Sequence, residues 1–301
     1  MSEHGITPAT TAFVTHRNLL FTVAYEMLGS AADAEDVLQE TWLRWIGVDL
    51  GQVRDPRAYL VRITTRQSLN RLRAMRSRKE VYVGSWLPEP LLTAPDVAEH
   101  VELVESLSMA MMLVLETLTP TERAVFVLRE VFGFGYDEIA AAVDKGPAAV
   151  RQIAHRARKH VDARRPREMV TPRETRAALD AFLLAIETAD PQALLDVLAP
   201  DVVLIADGGG VKQAALRPMT GADGVARFML GGLGKAEGAG FHLTVGPTVV
   251  NGNPALVVHL DGEIDGILAA RVEDARISGL YYVRNPAKLS RLETETPLAL
   301  H

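Results

Sequence analysis

Tyr136-Asp137-Glu138-Ile139-Ala140-Ala141-Ala142-Val143, Asp144-Lys145-Gly146 and Pro147-Ala148-Ala149-Val150-Arg151-Gln152-Ile153-Ala154-His155-Arg156-Ala157-Arg158-Lys159 carry the pattern of two helices around a tight turn. Its first part predicts a short helix, its middle a tight turn, and its last part a long helix that opens on proline and gathers cations. Ile139, Ala140, Val143, Val150 and Ile153 recur where two such helices would pack together. Two helices joined by a short turn, the second basic, make a helix-turn-helix, a motif whose second helix enters a DNA major groove.

Thr119-Pro120-Thr121-Glu122 is a capping box with proline in the first turn and predicts a helix running to Phe132, where Gly133 and Gly135 break it. One methionine-rich helix is expected before it, over 102–118. Residues 83–95 include Trp86-Leu87-Pro88-Glu89-Pro90 and cannot be helix interior, so they read as an interdomain linker. Nothing local can bury Trp86, which is expected to dock on a domain surface. Asp55-Pro56 starts a helix expected to reach Arg76 with Leu60, Ile63, Leu69 and Leu72 on its buried side. Ser30 and Asp33 cap a helix over 31–46. It carries Val37, Leu38, Thr41, Trp42 and Trp45 on one face and Asp36, Gln39 and Glu40 on another. A first helix over 11–28 closes at Gly29.

Beyond Thr171 the texture changes. Helices over 173–189 and 191–198 precede strand-like runs at 202–206, 241–250, 255–260, 264–272 and 275–283, with Asn251-Gly252 as a hairpin turn. Helices followed by a meander of strands predict an α+β domain with a curved sheet over helices.

Composition sets the outer bounds. The 301 residues are 48% hydrophobic and 23% charged, which suits two or three globular domains and excludes wholesale disorder. With 0 cysteines there is no disulfide, thiolate metal site or cysteine nucleophile. No metal or cofactor site is expected. No apolar run nears the ~18 residues of a membrane span, and the first residues resemble no secretory signal, so a cytoplasmic protein without a membrane partner is expected.

The net charge of −6 alone speaks against nucleic acid, but its distribution does not. Through Glu168 there are 21 basic and 22 acidic residues; the remainder holds 11 and 16. Arg54, Arg57, Arg62, Arg66, Arg71, Arg73, Arg76, Arg78 and Lys79 form one basic block opposed only by Asp55. Lys145, Arg151, Arg156, Arg158, Lys159, Arg164, Arg165 and Arg167 form a second. Two solvated helix faces would give the same pattern; two phosphate-contacting modules explain why each block lies on its own helical module.

The order of these pieces resembles the extracytoplasmic-function sigma factors of bacterial RNA polymerase. The resemblance rests on residues 33–45 (DAEDVLQETWLRW), 55–60 (DPRAYL), 118–126 (LTPTERAVF) and 154–159 (AHRARK). Residues from Thr171 resemble a SnoaL-like, ketosteroid-isomerase-like cone. A subgroup of these sigma factors carries that domain together with a Trp-Leu-Pro-Glu-Pro linker (Trp86 to Pro90), an Asp-Gly-Gly-Gly motif (Asp207 to Gly210) and a terminal Asn-Pro-x-Lys-Leu (Asn285 to Leu289). The fold implied is two all-α sigma domains, a sigma-2 helical bundle and a sigma-4 helix-turn-helix, plus a C-terminal α+β cone of curved antiparallel sheet. The expected boundaries are 8–82, linker 83–101, 102–166, cone 170–284 and tail 285–301. Three positions depart from the family: Asp144 for glycine in the turn, Gly146 for serine at the recognition-helix cap, and Arg66 where asparagine is frequent.

The resemblance implies roles. Asp36, Gln39, Glu40 and Arg44 would meet the clamp of the largest subunit of core polymerase. Arg57, Arg66, Asn70, Arg73 and Arg76 would take the melted −10 strand, with Tyr59 either stacking a base or packing in the core. Lys145, Arg151, Gln152, His155, Arg156 and Lys159 would take the −35 duplex. Trp86, Pro88, Asp207, Gly208, Gly209, Gly210, Asn285, Pro286, Lys288 and Leu289 would make a regulatory interdomain contact that restrains the DNA-binding modules.

Cone-fold relatives include enzymes with an aspartate base in an apolar pocket. Asp207, His242, His259, Asp261 and Asp265 are available here, yet no catalytic residue is assigned. A small-molecule ligand in the cone is a further candidate partner. The competing reading is a helix-turn-helix regulator with a ligand-sensing or enzymatic cone. Such a regulator has no need of the acidic helix or of the separate basic helix.

Overall fold

The computed structural model describes residues 7–93, 101–164, 170–292 and 294–300. Residues 94–100 of the expected linker, Arg165 and Arg167 of the second basic block, and the side chain of Arg76 lie outside what is described. The chain divides into two compact units. One is built from residues up to Glu80, from Val114 to Arg164 and from Pro297 onward; the other runs from Val81 to Leu113 and from Arg165 to Thr296. The described part of the expected linker, 83–93, therefore folds with the C-terminal domain.

In the helical unit, α1 (Pro8–Leu28), α2 (Ala31–Trp45) and α3 (Pro56–Glu80) form a bundle. Gly29 ends α1 in the left-handed region at φ 69°, and Ser30 Oγ accepts from the Asp33 amide to start α2. Trp45 is fully buried and donates its indole N–H to the Ala9 carbonyl at 2.8 Å. α3 runs four residues past the expected end. Its inner side is more polar than expected: Ile63 is only half-buried, while Thr64, Thr65, Gln67 and Ser68 are buried with Leu60, Leu69 and Leu72. The reason is that α3 packs against α1 and α2 on one side and against the second helical module on another, so a single apolar stripe cannot describe it.

That second module contains α6 (Pro120–Phe126), a π-helical turn (Val127–Val131), α7 (Tyr136–Val143) and α8 (Pro147–Asp162). Both halves of the Thr119–Glu122 capping box form. Asp144 stands at φ 57° and ψ 55°, so the turn between α7 and α8 uses the left-handed conformation that glycine adopts without strain. Asp144→Gly is expected to raise the stability of this unit by about 0.5–1 kcal/mol, seen as a higher urea midpoint at unchanged m-value.

The helix expected over 102–118 is two helices, α4 (Val101–Leu107) and α5 (Met109–Glu116). Ser108 divides them because its hydroxyl caps α5, accepting from the Met111 amide at 3.2 Å.

The second unit holds α9 (Pro172–Glu187), α10 (Pro191–Val197), α11 (Ala222–Gly238) and a six-stranded sheet, followed by α12 (Pro286–Leu289). Its strands are β1 (Leu198–Asp207), β2 (Met219–Thr220), β3 (Leu243–Val250), β4 (Asn253–Leu260), β5 (Glu263–Glu273) and β6 (Arg276–Val283), in the order β2-β1-β6-β5-β4-β3. The sheet departs from a wholly antiparallel one at a single pair. β1 runs parallel to β6, which the long excursion through α11 and β3–β5 permits. Phe182, Leu194, Leu204, Leu256, Leu268 and Leu280 lie in the core between helices and sheet. Among the described residues no helix is long and apolar enough to cross a membrane.

Candidate functional site

Three surfaces carry the residues singled out from the sequence. On α8, Arg151, Gln152, His155, Arg156 and Lys159 are exposed, as is Lys145 in the turn before it, while Val150, Ile153, Ala154, Ala157 and Val161 are buried. The polar side chains of α8 thus share one outward face. Tyr136 anchors its start, with the Arg129 and Arg151 guanidinium carbons 4.7 and 5.6 Å from its ring centre. Arg158, four positions from Ala154 on the same helix, is instead held by Glu130 at 2.6 Å.

On α3, Arg66, Asn70 and Arg73 are exposed along one stripe at helical spacing, and the Arg73 guanidinium donates to Asn70 Oδ1 at 3.3 Å. Arg57 lies on another side. Two of these arginines already have partners on the helix-turn-helix module: Arg66 Nη2 donates to the Ala141 carbonyl of α7 at 3.1 Å, and Arg57 sits 4.7 Å over the Phe134 ring. Half-buried Tyr59 packs against Trp45, with the Arg62 guanidinium over its ring, so its faces are already in contact. Buried Arg123 of α6 spans the same interface, donating twice to the Glu26 carbonyl of α1 at 2.9 and 3.1 Å and pairing with Glu116.

On α2, Asp36, Gln39, Glu40 and Arg44 are exposed. Asp36 pairs with Arg71, which also holds Asp33 at 2.6 Å, and Glu40 accepts from Gln67 Nε2 at 2.9 Å. The same surface carries Leu43, 61% exposed, an apolar residue between the charged ones.

The second unit contains a different kind of site, built on Asp207 at the end of β1. Its carboxylate is fully buried and accepts four hydrogen bonds: from Tyr82 Oη at 2.6 Å, the Leu87 amide at 2.9 Å, Lys288 Nζ at 2.7 Å and the Gly209 amide at 3.0 Å. Lys288 Nζ donates to the Leu87 carbonyl at 2.5 Å and lies 4.2 Å from the Trp86 ring centre. Asn285 donates to Tyr82 Oη at 2.7 Å and caps α12, the helix Pro286 opens and Leu289 packs into the core. Burial and the Asp207 carboxylate hold the Tyr82 phenol well above the ordinary tyrosine value, so it remains a donor. Leu87, Pro88, Glu89 and Pro90 are buried.

The glycine run has a steric reason. A Cβ on Gly208 would meet the Lys212 carbonyl oxygen at 2.1 Å, and Gly209, at φ 62°, would place one 2.4 Å from the Asn285 side chain. Gly210 backs onto Val83 of the linker.

The loop that begins at Asp207 ends on a second cluster. Asp265 accepts from Lys212 Nζ at 2.7 Å, from Arg284 Nε and Nη2 at 2.9 and 3.1 Å, and from Tyr282 Oη at 3.3 Å. Burial pushes its carboxyl upward, but the Lys212 hydrogen bond and the Arg284 and Lys212 charges outweigh that and leave it below the usual carboxylate range. Asp261, at φ 52°, closes the turn after β4 and accepts from the His242 amide.

With this geometry in hand, comparison with known proteins decides the family. Residues 12–78 match the model for Sigma-70 region 2, and residues 108–161 match that for Sigma-70, region 4. Over 290 residues, 92% of each chain, the sequence is 36% identical to the ECF RNA polymerase sigma factor SigJ of Mycobacterium tuberculosis. The chain is an extracytoplasmic-function sigma factor. It is also 30% identical over 303 residues to the probable ECF RNA polymerase sigma factor SigI of M. tuberculosis, covering 98% of this chain and 99% of that one. The crystal structure of M. tuberculosis SigJ superposes with a TM-score of 0.74 at 32% identity, covering 96% of this chain and 99% of that one. The sigma factor therefore carries sigma-2 and sigma-4 domains followed by a SnoaL-like sheet-and-helix domain.

Within the sigma factor, sequence reasoning overlooked three residues that tie the linker down. Tyr82 supplies a hydroxyl to Asp207. Buried Asn251 accepts from the Leu91 amide at 2.8 Å and donates to the Leu107 carbonyl at 3.1 Å. Thr93 Oγ1 accepts from the Gly252 amide at 2.8 Å. The Asn251-Gly252 hairpin signal marks the turn but cannot show that its side chain is a docking group.

Proposed function

We propose that this sigma factor docks core polymerase through the α2 surface of Asp36, Gln39, Glu40, Leu43 and Arg44, takes the −10 strand on α3 and the −35 duplex on α8, and is restrained in cis by its SnoaL-like domain. The observation that carries the restraint is the capture of the linker by Asp207, Lys288 and Asn285. Two magnitudes support it. The promoter elements are named for positions about 25 base pairs apart, about 85 Å of duplex at 3.4 Å per base pair. A compact unit of about 140 residues is only about 37 Å across. The sigma-2 and sigma-4 modules must therefore part to reach both elements, and Arg57 and Arg66 must leave Phe134 and Ala141. The expected linker, 83–101, could reach about 65 Å if extended. Its residues 83–93, bound into the SnoaL-like domain, add nothing to that reach.

The restraint is structural rather than enzymatic in this reading. Asp207 is committed to the linker, Asp261 to a turn, and Asp265 to two cations that lower its basicity, so none is a poised general base. A cytoplasmic protein follows from the same function.

On α8, Arg151→Ala is expected to weaken binding to a −35 duplex by about 1–3 kcal/mol and to reduce the slope of log K against log salt by about 1. Unchanged affinity and slope at low salt would remove Arg151 from the interface. The reading as a whole is tested by run-off transcription with core polymerase on the promoter of the chain's own gene. Promoter-specific transcripts are expected; duplex binding without any transcript would favour the helix-turn-helix regulator instead.

A further inference from the structure

The SnoaL-like domain holds a cavity of about 160 Å³, partly open to solvent, between α11 and the sheet. Phe228 and Leu233 from α11 and Val245 and Val258 from the sheet give it apolar walls. A space near 150 Å³ accommodates a benzene ring. Its polar side is Asp265, Tyr282 and Arg284, the cluster that Lys212 completes.

The charge of that cluster is unbalanced. One carboxylate, 4% exposed, faces two cations, and its oxygens already accept from Lys212, both Arg284 nitrogens and Tyr282. One positive charge is left beside the apolar walls: Lys212 and Arg284 are 31% and 25% exposed, and Arg284 Nη1 also donates to the Gln213 carbonyl at 2.6 Å, so the surplus is partly solvated and still open to a charge-assisted bond. A neutral apolar guest would fill the space and leave that charge unmatched. A second carboxylate, on a guest of ring size, would match both.

The geometry points to this cavity as a binding site for a small aromatic or alicyclic carboxylate, its ring among Phe228, Leu233, Val245 and Val258 and its carboxylate on Arg284. This deepens the small-molecule role expected of the cone. It concerns binding alone and stands whether or not the linker contact controls transcription.

Isothermal titration of the full chain with benzoate, cyclohexanecarboxylate and neutral benzamide tests it. At least one carboxylate is expected to bind one site per chain with a Kd below about 1 mM, at least tenfold tighter than benzamide. Arg284→Gln is expected to erase that tenfold preference. Gly232→Phe supplies a variant that does not touch the ion cluster: Gly232 lines the cavity on α11, a Cβ there meets nothing within 4 Å, and replacing a helical glycine favours the helix. It is expected to abolish binding. Failure of both carboxylates to bind below about 5 mM, equal affinity for benzamide, or full binding by Gly232→Phe would each overturn the proposal.

Discussion

Asp207→Ala is expected to release the linker from the SnoaL-like domain and to raise promoter binding by the free sigma factor. The carboxylate is wholly buried and joins the linker, through Tyr82 and the Leu87 amide, to Lys288 on α12. The Lys288 side chain is only 12% exposed. Removing one member of a buried charged pair costs about 3–5 kcal/mol, chiefly because the other charge stays desolvated without it. Leaving the docked state lets Lys288 rehydrate, so the penalty falls on the docked linker. Limited proteolysis is expected to cut within 82–93 in the variant and not in the wild type, and Trp86 emission should move to the red. Tyr82→Phe removes a single linker donor and is expected to show the same effects in weaker form, about 1 kcal/mol. An unchanged cleavage pattern in Asp207→Ala would mean that the linker is held by its other contacts, the Asn251 and Thr93 hydrogen bonds among them.

Arg123→Met is expected to produce the other large effect, on the helical unit. The Arg123 side chain is 2% exposed, and its guanidinium links α6 to the last turn of α1 through the Glu26 carbonyl. A cation there also meets the negative end of the α1 dipole. Methionine keeps the apolar stem but leaves that carbonyl and the Glu116 carboxylate without the guanidinium. The expected loss is about 3–5 kcal/mol, equivalent to a fall of about 10 °C or more in the midpoint of this unit. Because Trp42 and Trp45 lie in the helical unit, their emission reports its urea transition. A change below about 1 kcal/mol would show that the two modules hold together without Arg123.

The parts of the fold that were legible in the sequence are those written in local chemistry. Thr119 and Glu122 announce a helix start through side chains that bond within one turn, and Asp144 announces a left-handed turn through its own tolerance of it. The period of Ile139, Val143, Val150 and Ile153 is the packing of α7 on α8. What was illegible depends on partners distant in sequence. α11 contains Gly231, Gly232 and Gly234, which lower its helix propensity, and it forms because Val225, Ala226 and Phe228 pack on the sheet. α3 buries Thr64, Gln67 and Ser68 because another module covers them, which no single hydrophobic stripe reveals. The sites divide the same way. The exposed face of α8 follows from helical spacing alone. The engagement of Arg57 and Arg66 by Phe134 and Ala141 joins positions about 75 residues apart, beyond any local pattern. Asp207 stood out by the glycines beside it, whereas Tyr82, its partner across 125 positions, carried no local signal.

The sigma-2 and sigma-4 modules, packed together in the free protein, are expected to separate when they engage a promoter. The absence of native cysteine allows two spin labels to be placed uniquely, at Ala32→Cys on α2 and Ala163→Cys at the end of α8, both exposed. Pulsed dipolar spectroscopy on the full chain is expected to give a single narrow distance in the free protein. That distance should be replaced by a longer one on binding core polymerase and promoter DNA, and should broaden toward longer values in Asp207→Ala. A distance unchanged by polymerase and promoter would show that the two modules engage the promoter without separating.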